Sequence, residues 1–137
     1  MHTLLGFDFG TQRIGVAVGQ NITGTATALC TVNARNAQPD LDRIFELIQN
    51  WRPDALVVGL PLRADGSDSG TTRSVRRFAQ QLEEHTCLPV HLMDERLSSH
   101  AAKQLQHHDK AGGRTGIDAI AAMIILQNWL ATENTHE

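Results

Sequence analysis

Leu5-Gly6-Phe7-Asp8-Phe9-Gly10-Thr11, followed by Arg13-Ile14-Gly15-Val16-Ala17-Val18, is the stretch that decides the fold. It reads as a strand, a tight turn and a second strand. In the second strand Ile14, Val16 and Val18 alternate with Gly15, Ala17 and Gly19, so one face is bulky and the other nearly bare. Bare glycine on a strand face marks close approach of another backbone. Asp8 stands between Phe7 and Phe9. An acid there is costly to bury unless it is paired, hydrogen-bonded or bound to a metal.

Working outward, strand one covers Thr3 to Phe9, Thr11-Gln12-Arg13 connect, and strand two covers Ile14 to Gly19. Thr25 to Val32 is a third strand, introduced by a turn at Asn21 to Gly24. A loop from Asn33 to Pro39 leads into a helix with Leu41, Ile44, Phe45 and Ile48 on one face. Pro39 suits its first turn and Pro53 stops it. The unbroken apolar run Ala55 to Leu60 suits a strand buried on both faces of a parallel sheet. A polar loop, Pro61 to Thr72, precedes a second helix capped by Thr72 or Ser74, with Val75, Phe78, Ala79 and Leu82 inward. Pro89 to Met93 is a fifth strand, ending in Asp94-Glu95-Arg96.

A third helix begins at Leu97-Ser98, with Ala101, Ala102 and Leu105 inside, and His107 to Gly113 is a loop. The last helix, from about Gly116 to Leu130, is apolar almost all round and should be buried; Thr132 to Glu137 is a polar tail. Strand and helix order is therefore βββ-α-β-α-β-α-α. The α/β fold expected is a mixed five-stranded sheet, three antiparallel strands then two parallel ones, with helices on both faces.

The 137 residues suit a single domain, 1–137, with a real core. Hydrophobic residues at 41% and charged residues at 20% are ordinary for a globular protein. No apolar run approaches the ~20 residues that span a bilayer. The N-terminus lacks the basic segment and cleavage site of a signal peptide, and Cys30 and Cys87 form no metal or redox spacing. A cytoplasmic protein with reduced core thiols is expected, without a membrane partner. The net charge of −3 argues against nonspecific coating of nucleic acid but leaves room for a nuclease with a local basic patch.

Acids occupy telling positions: Asp8 at the end of strand one, Asp94 and Glu95 at the end of strand five, Asp118 in the first turn of the last helix. In open α/β sheets, sites collect at the carboxyl ends of strands. Carboxylate clusters suit hard divalent cations, and two such ions ~3.5–4 Å apart can clamp a phosphodiester. Bland roles compete. Thr115-Gly116-Ile117-Asp118 also reads as a capping box, and either Asp94 or Glu95 could pair with Arg96. Arg63, Arg73, Arg76, Arg77, Arg96, Lys103, Lys110 and Arg114 recur near the acids, as solvated charges or as a track for phosphates. Asp8-Phe9-Gly10 matches the metal-binding tripeptide of protein kinases without any other kinase motif. His107-His108-Asp109 reads as a solvated turn before a zinc site.

The series Gly6-Phe7-Asp8-Phe9-Gly10-Thr11, Ile14 to Val18, Val57-Val58-Gly59-Leu60-Pro61-Leu62 with Asp65-Gly66, Asp94-Glu95-Arg96-Leu97-Ser98 and Asp118-Ala119-Ile120-Ala121-Ala122 resembles the YqgF family. These are bacterial RNase H-like proteins described as Holliday junction resolvases and as pre-16S rRNA nucleases. The resemblance covers nearly the whole chain in motif order. It implies a single RNase H-like nuclease domain in which Asp8, Glu95 and Asp118 bind Mg²⁺, or Mn²⁺, and catalyse phosphodiester hydrolysis. It favours Glu95 over Asp94. It implies that the Leu60 to Thr72 loop and the helix start at Arg73 face substrate. Related junction resolvases carry a further acidic group near the last-helix acid; one turn either side of Asp118 this chain has Thr115 and Ala121.

The expected function is therefore a metal-dependent endonuclease in 5′-end maturation of pre-16S rRNA. The alternative is a Holliday junction resolvase in DNA recombination and repair. Structured RNA or branched DNA, and a second copy in a homodimer, are the partners implied. The glycine-rich hairpin also looks like the first phosphate motif of actin-like ATPases, which makes an ATP-binding module one rival. A non-catalytic nucleic-acid-binding protein is another.

Overall fold

The computed structural model describes residues 2–10, 12–35, 38–95 and 114–135, the last segment with side chains from 118 to 132. The strands are β1 (Thr3–Phe9), β2 (Arg13–Gln20), β3 (Thr25–Arg35), β4 (Gln38–Pro39), β5 (Ala55–Leu60) and β6 (Val90–Asp94). The helices are α1 (Leu41–Trp51), α2 (Gly70–Thr86) and α3 (Arg114–Thr135). They build one sheet in the order β4-β3-β2-β1-β5-β6. β1 is the pivot: it pairs antiparallel with β2 and parallel with β5, and β5 pairs parallel with β6.

Alternation divides the core into two layers. Leu5, Phe7, Phe9, Ile14, Val16, Leu56 and Val58 point to one face and pack against α1 and α2 through Ile44, Leu47, Val75, Phe78 and Leu82. Leu4, Ala17, Ala26, Val57 and Met93 point to the other and pack against Ala122, Ile125, Leu126 and Leu130 of α3. The bulky and bare faces of β2 thus take different partners. Where the strand is bare, the helix comes closest. A Cβ on Gly15 would stand 1.8 Å from the Asp118 carbonyl oxygen, and one on Gly6 2.9 Å from Leu126 Cβ. Glycine is what lets the α3 backbone rest on the sheet.

The sheet has six strands where five were expected. β3 continues to Arg35, and its end pairs with Gln38–Pro39. Pro39 therefore sits in a short edge strand, which a residue lacking an N–H tolerates, and Asp40 caps α1 by accepting from Arg43 N. The cap of α2 is Ser69, three residues before Thr72, in a reciprocal capping box with Thr72. The buried Thr72 hydroxyl also donates to the Pro61 carbonyl, which ties the preceding loop to the helix. Cys87 is not a core thiol: it ends α2 with a φ of 59° and is exposed, while Cys30 is half-buried.

α3 is longer at both ends than the expected Gly116 to Leu130. The helix expected from Leu97-Ser98, the loop at His107 to Gly113, Lys103 and Lys110 lie outside the described residues. Among the described residues no helix is long and apolar enough to cross a membrane.

The α3–β2 contact has a direct test. Gly15→Ala forces the helix off the strand and should cost about 3 kcal/mol or more in urea unfolding. Gly70→Ala, where a Cβ meets only a side-chain nitrogen 4.0 Å away at the start of α2, should leave stability unchanged or raise it.

Candidate active site

Asp8 lies on the α3 face of β1, directly opposite Gly15 of β2. The missing side chain at Gly15 admits the backbone of α3 at Asp118, so the bare position draws the helix-borne acid to the strand-borne one. From the other side, β5 and β6 run parallel, with Gly59 paired to Met93 and Leu60 to Asp94. Glu95 follows and shares Met93's side of the strand. A Cβ on Gly59 would stand 2.8 Å from Glu95 Oε1, so this glycine too clears space for an acid.

The side chains of Asp8 and Glu95 are hydrogen-bonded to each other. Two carboxyl groups in contact need a proton or a cation between them. Burial is the largest influence on both, and it pushes both pKa values up. Asp8 is pulled partly back by its bond with Glu95 and pushed up again by the charge of Asp118. Glu95 is pushed up to about 9 by burial, by Asp8 and by neighbouring Asp94. Near neutral pH, without a cation, the pair therefore holds one proton between its two carboxyl groups. Of the two adjacent acids, Glu95 is the one whose side chain meets Asp8.

Asp118 is near enough to act on Asp8 by charge, but its carboxylate is engaged elsewhere. Arg13 Nε donates to Asp118 Oδ2 at 2.8 Å, with the two side chains 32% and 27% exposed. Among the described residues no three His, Cys, Asp or Glu side chains already stand around one ion. The arrangement is a protonated acid pair with a third acid beside it, held by arginine. Asp118 is also not the start of its helix. α3 begins at Arg114, which puts Thr115 inside the helix and removes the capping box.

Arg13 is the residue the sequence reading passed over, as part of a connection. Its signal was in the alternation: Arg13 shares the parity of Gly15 and Ala17, so it heads the bare face toward α3.

The expected basic residues divide. Arg63 lies exposed in the loop after β5, which is closed by a Leu62–Asp68 bridge and an Asp65–Ser67 turn. Arg73 and Arg76 are exposed on the first turns of α2. Arg76 grips Asp68 at 2.9 and 3.1 Å, which fastens this loop to α2. That hydrogen bond holds Asp68 below the usual carboxylate range. Arg77 turns away from the acids, lining a cleft of about 280 Å³ with Phe9, Ser74, Phe78 and Gln81 on the opposite face of the sheet. Arg96 and the side chain of Arg114 lie outside the described residues.

A family model described as "RuvX: Holliday junction resolvase" matches residues 2–132. A protein of Azotobacter vinelandii, provisionally named a pre-16S rRNA nuclease, is 50% identical over 131 residues, covering 93% of this chain and 92% of its own. One of Pseudomonas aeruginosa PAO1 with the same name is 47% identical over 134 residues, covering 96% and 93%. In shape the chain is similar to Thermus thermophilus RuvC in complex with a Holliday junction substrate, with a TM-score of 0.61 and 16% identity over 98% of this chain and 96% of that one. The fowlpox virus Holliday junction resolvase gives a TM-score of 0.57 at 13% identity, covering 95% and 99%. At such identities the likeness is one of fold.

The shared proton sets a pH dependence. An acid whose pKa is raised on folding is stabilising below its unfolded value, and that stability is lost as pH rises through the folded value. Glu95→Gln removes this titration. Without divalent ions, the melting temperature of Glu95→Gln minus that of the unsubstituted chain should rise from pH 5 to 9 and then level off.

Proposed function

Because the chain belongs to the RuvX family of Holliday junction resolvases, we propose that it is a metal-dependent endonuclease of pre-16S rRNA whose divalent ions are held by Asp8, Glu95 and Asp118. Family membership makes it a nucleic-acid hydrolase. Curated relatives at 46–50% identity, named for the rRNA precursor, favour RNA as the substrate.

One observation carries the assignment of the site: the contact between Asp8 and Glu95 at the carboxyl ends of β1 and β6. A proton holds this pair together now, and a divalent cation would replace it, since oxygen-only donors suit Mg²⁺ or Mn²⁺. Gly59 gives the Glu95 carboxylate the room this requires. The residues present therefore fit the ion. When bound, the ion supplies Lewis acidity toward phosphate and an activated water.

The chain's own residues do the rest. Asp8 stands on β1 between the buried Phe7 and Phe9, and Glu95 follows the end of β6 with its side chain against Gly59, so packing holds both before substrate arrives. Arg63 and Arg73, on the loop and helix after β5, face solvent and can hold the backbone of the nucleic acid by its phosphates. Arg76 keeps that loop in place through Asp68. This work belongs in the cytoplasm, where the rRNA precursor is made.

A second reading is favoured by the description of the family model. A four-way DNA junction presents equivalent strands, and a two-fold dimer of this chain would match that symmetry.

Purified protein with Mg²⁺ or Mn²⁺ should cleave a precursor fragment carrying the 16S 5′ end. Asp8→Asn should reduce the rate roughly 100-fold or more while leaving the fold intact by circular dichroism. Cleavage of neither the precursor nor a four-way junction, or equal cleavage by Asp8→Asn, would sink the assignment. Cleavage of the junction alone would replace RNA by branched DNA.

A further inference from the structure

The ion pair between Arg13 and Asp118 stands beside the acid pair of Asp8 and Glu95. Arg13 opens β2 on the α3 face, and Gly15, the partner of Asp8, is the next residue along that face. Its Nε lies 2.8 Å from Asp118 Oδ2. A buried pair of this kind would be a lock on the helix, expensive to open. This one is only part-buried, with the side chains 32% and 27% exposed, so solvent and a competing ligand can reach it. The helix does not need it for anchorage, because α3 is already seated through Ala122, Ile125, Leu126 and Leu130.

We propose that Arg13 is a positioning residue that exchanges partners. It holds the Asp118 carboxylate while the acid cluster is free of ions, and it moves to a phosphate of the nucleic acid when a divalent cation competes for that carboxylate. The inference rests on the nuclease reading and deepens it, since it ties ion loading to substrate grip. The charges favour the exchange. Without the ion, Arg13 balances Asp118. With the ion in place the carboxylates are compensated by it, and the guanidinium is the positive group left over beside the place where phosphate must sit. A planar guanidinium suits both partners, because carboxylate and phosphate offer it the same paired oxygens. Substrate and ion then bind with positive coupling through one side chain.

The test uses the full chain, with Mn²⁺ titrated calorimetrically and a 16S precursor hairpin as the probe for nucleic-acid binding. Arg13→Gln should bind Mn²⁺ about two- to fivefold more tightly than the unsubstituted chain, because the competitor for Asp118 is gone. In an Asp118→Asn background the same change should leave Mn²⁺ affinity unaltered. With Ca²⁺ present, Arg13→Gln should lower the salt dependence of hairpin binding by about one phosphate contact; with EDTA it should not change it. Arg13→Lys should recover part of the Ca²⁺-dependent contact.

A merely structural role would lower the melting temperature of Arg13→Gln without tightening Mn²⁺ and without an ion-dependent change in salt slope. That result overturns the exchange and leaves the nuclease reading standing. Failure of the unsubstituted chain to bind Mn²⁺ at all overturns both.

Discussion

The contact on which the rest of this molecule depends is between a glycine and a helix backbone. Gly15 has no side chain, and the Asp118 carbonyl occupies the space where one would be. Because Gly15 is the register partner of Asp8, this packing event sets the distance between two acids that lie 110 residues apart in sequence. Gly6 and Gly19 extend the same seam under Leu126, so the helix lies flush along β1 and β2. The glycines weaken strand propensity locally, and the interior helix repays this with Ala122, Ile125, Leu126 and Leu130. Packing and chemistry are therefore one constraint here. What seats the helix also delivers the acid.

The electrostatics follow from that seating. Asp8 and Glu95 are close enough to share a proton because β1 and β6 run parallel and end on the same side of the sheet, with β5 and its Gly59 between them. Asp118 is the third acid, and Arg13 offsets its charge. A site that neutralises itself with one proton and one arginine can remain folded without a metal. The neighbouring loop uses the same economy: Arg76 and Asp68 satisfy each other there and hold the loop that bears Arg63.

Much of this was legible in the sequence, for definite reasons. The alternation of Ile14, Val16 and Val18 with Gly15, Ala17 and Gly19 foretold two unlike faces and a close backbone, because strand period is local and strict. The order of strands and the acids at their ends followed from periodicity and apolar runs, and the motif series pointed to the family before any geometry. What escaped depended on contacts between distant segments. The sixth strand exists only because the end of β3 extends to meet Gln38–Pro39. Ser69 won the cap of α2 from Thr72 because the reciprocal bond needs both residues, three apart, and Thr72 also reaches Pro61. Cys87 looked apolar in context but sits at a left-handed helix end, which leaves it in solvent. Arg13 was assigned to a turn, and moving the start of the strand by one residue changed it from connection to site.

The same hairpin weighs against the ATP-binding alternative. A glycine-rich turn between two strands serves a nucleotide when the bare backbone is left open for phosphate to approach. In this chain the bare face of β2 is filled. The backbone of α3 stands over Gly15, and Leu126 and Leu130 stand over Gly19. An apolar helix that supplies an acid has taken the place a phosphate chain would need. The glycines of the hairpin thus serve the carboxylate cluster at the strand ends, and Asp8 finds its partners in Glu95 and Asp118 across that packed seam.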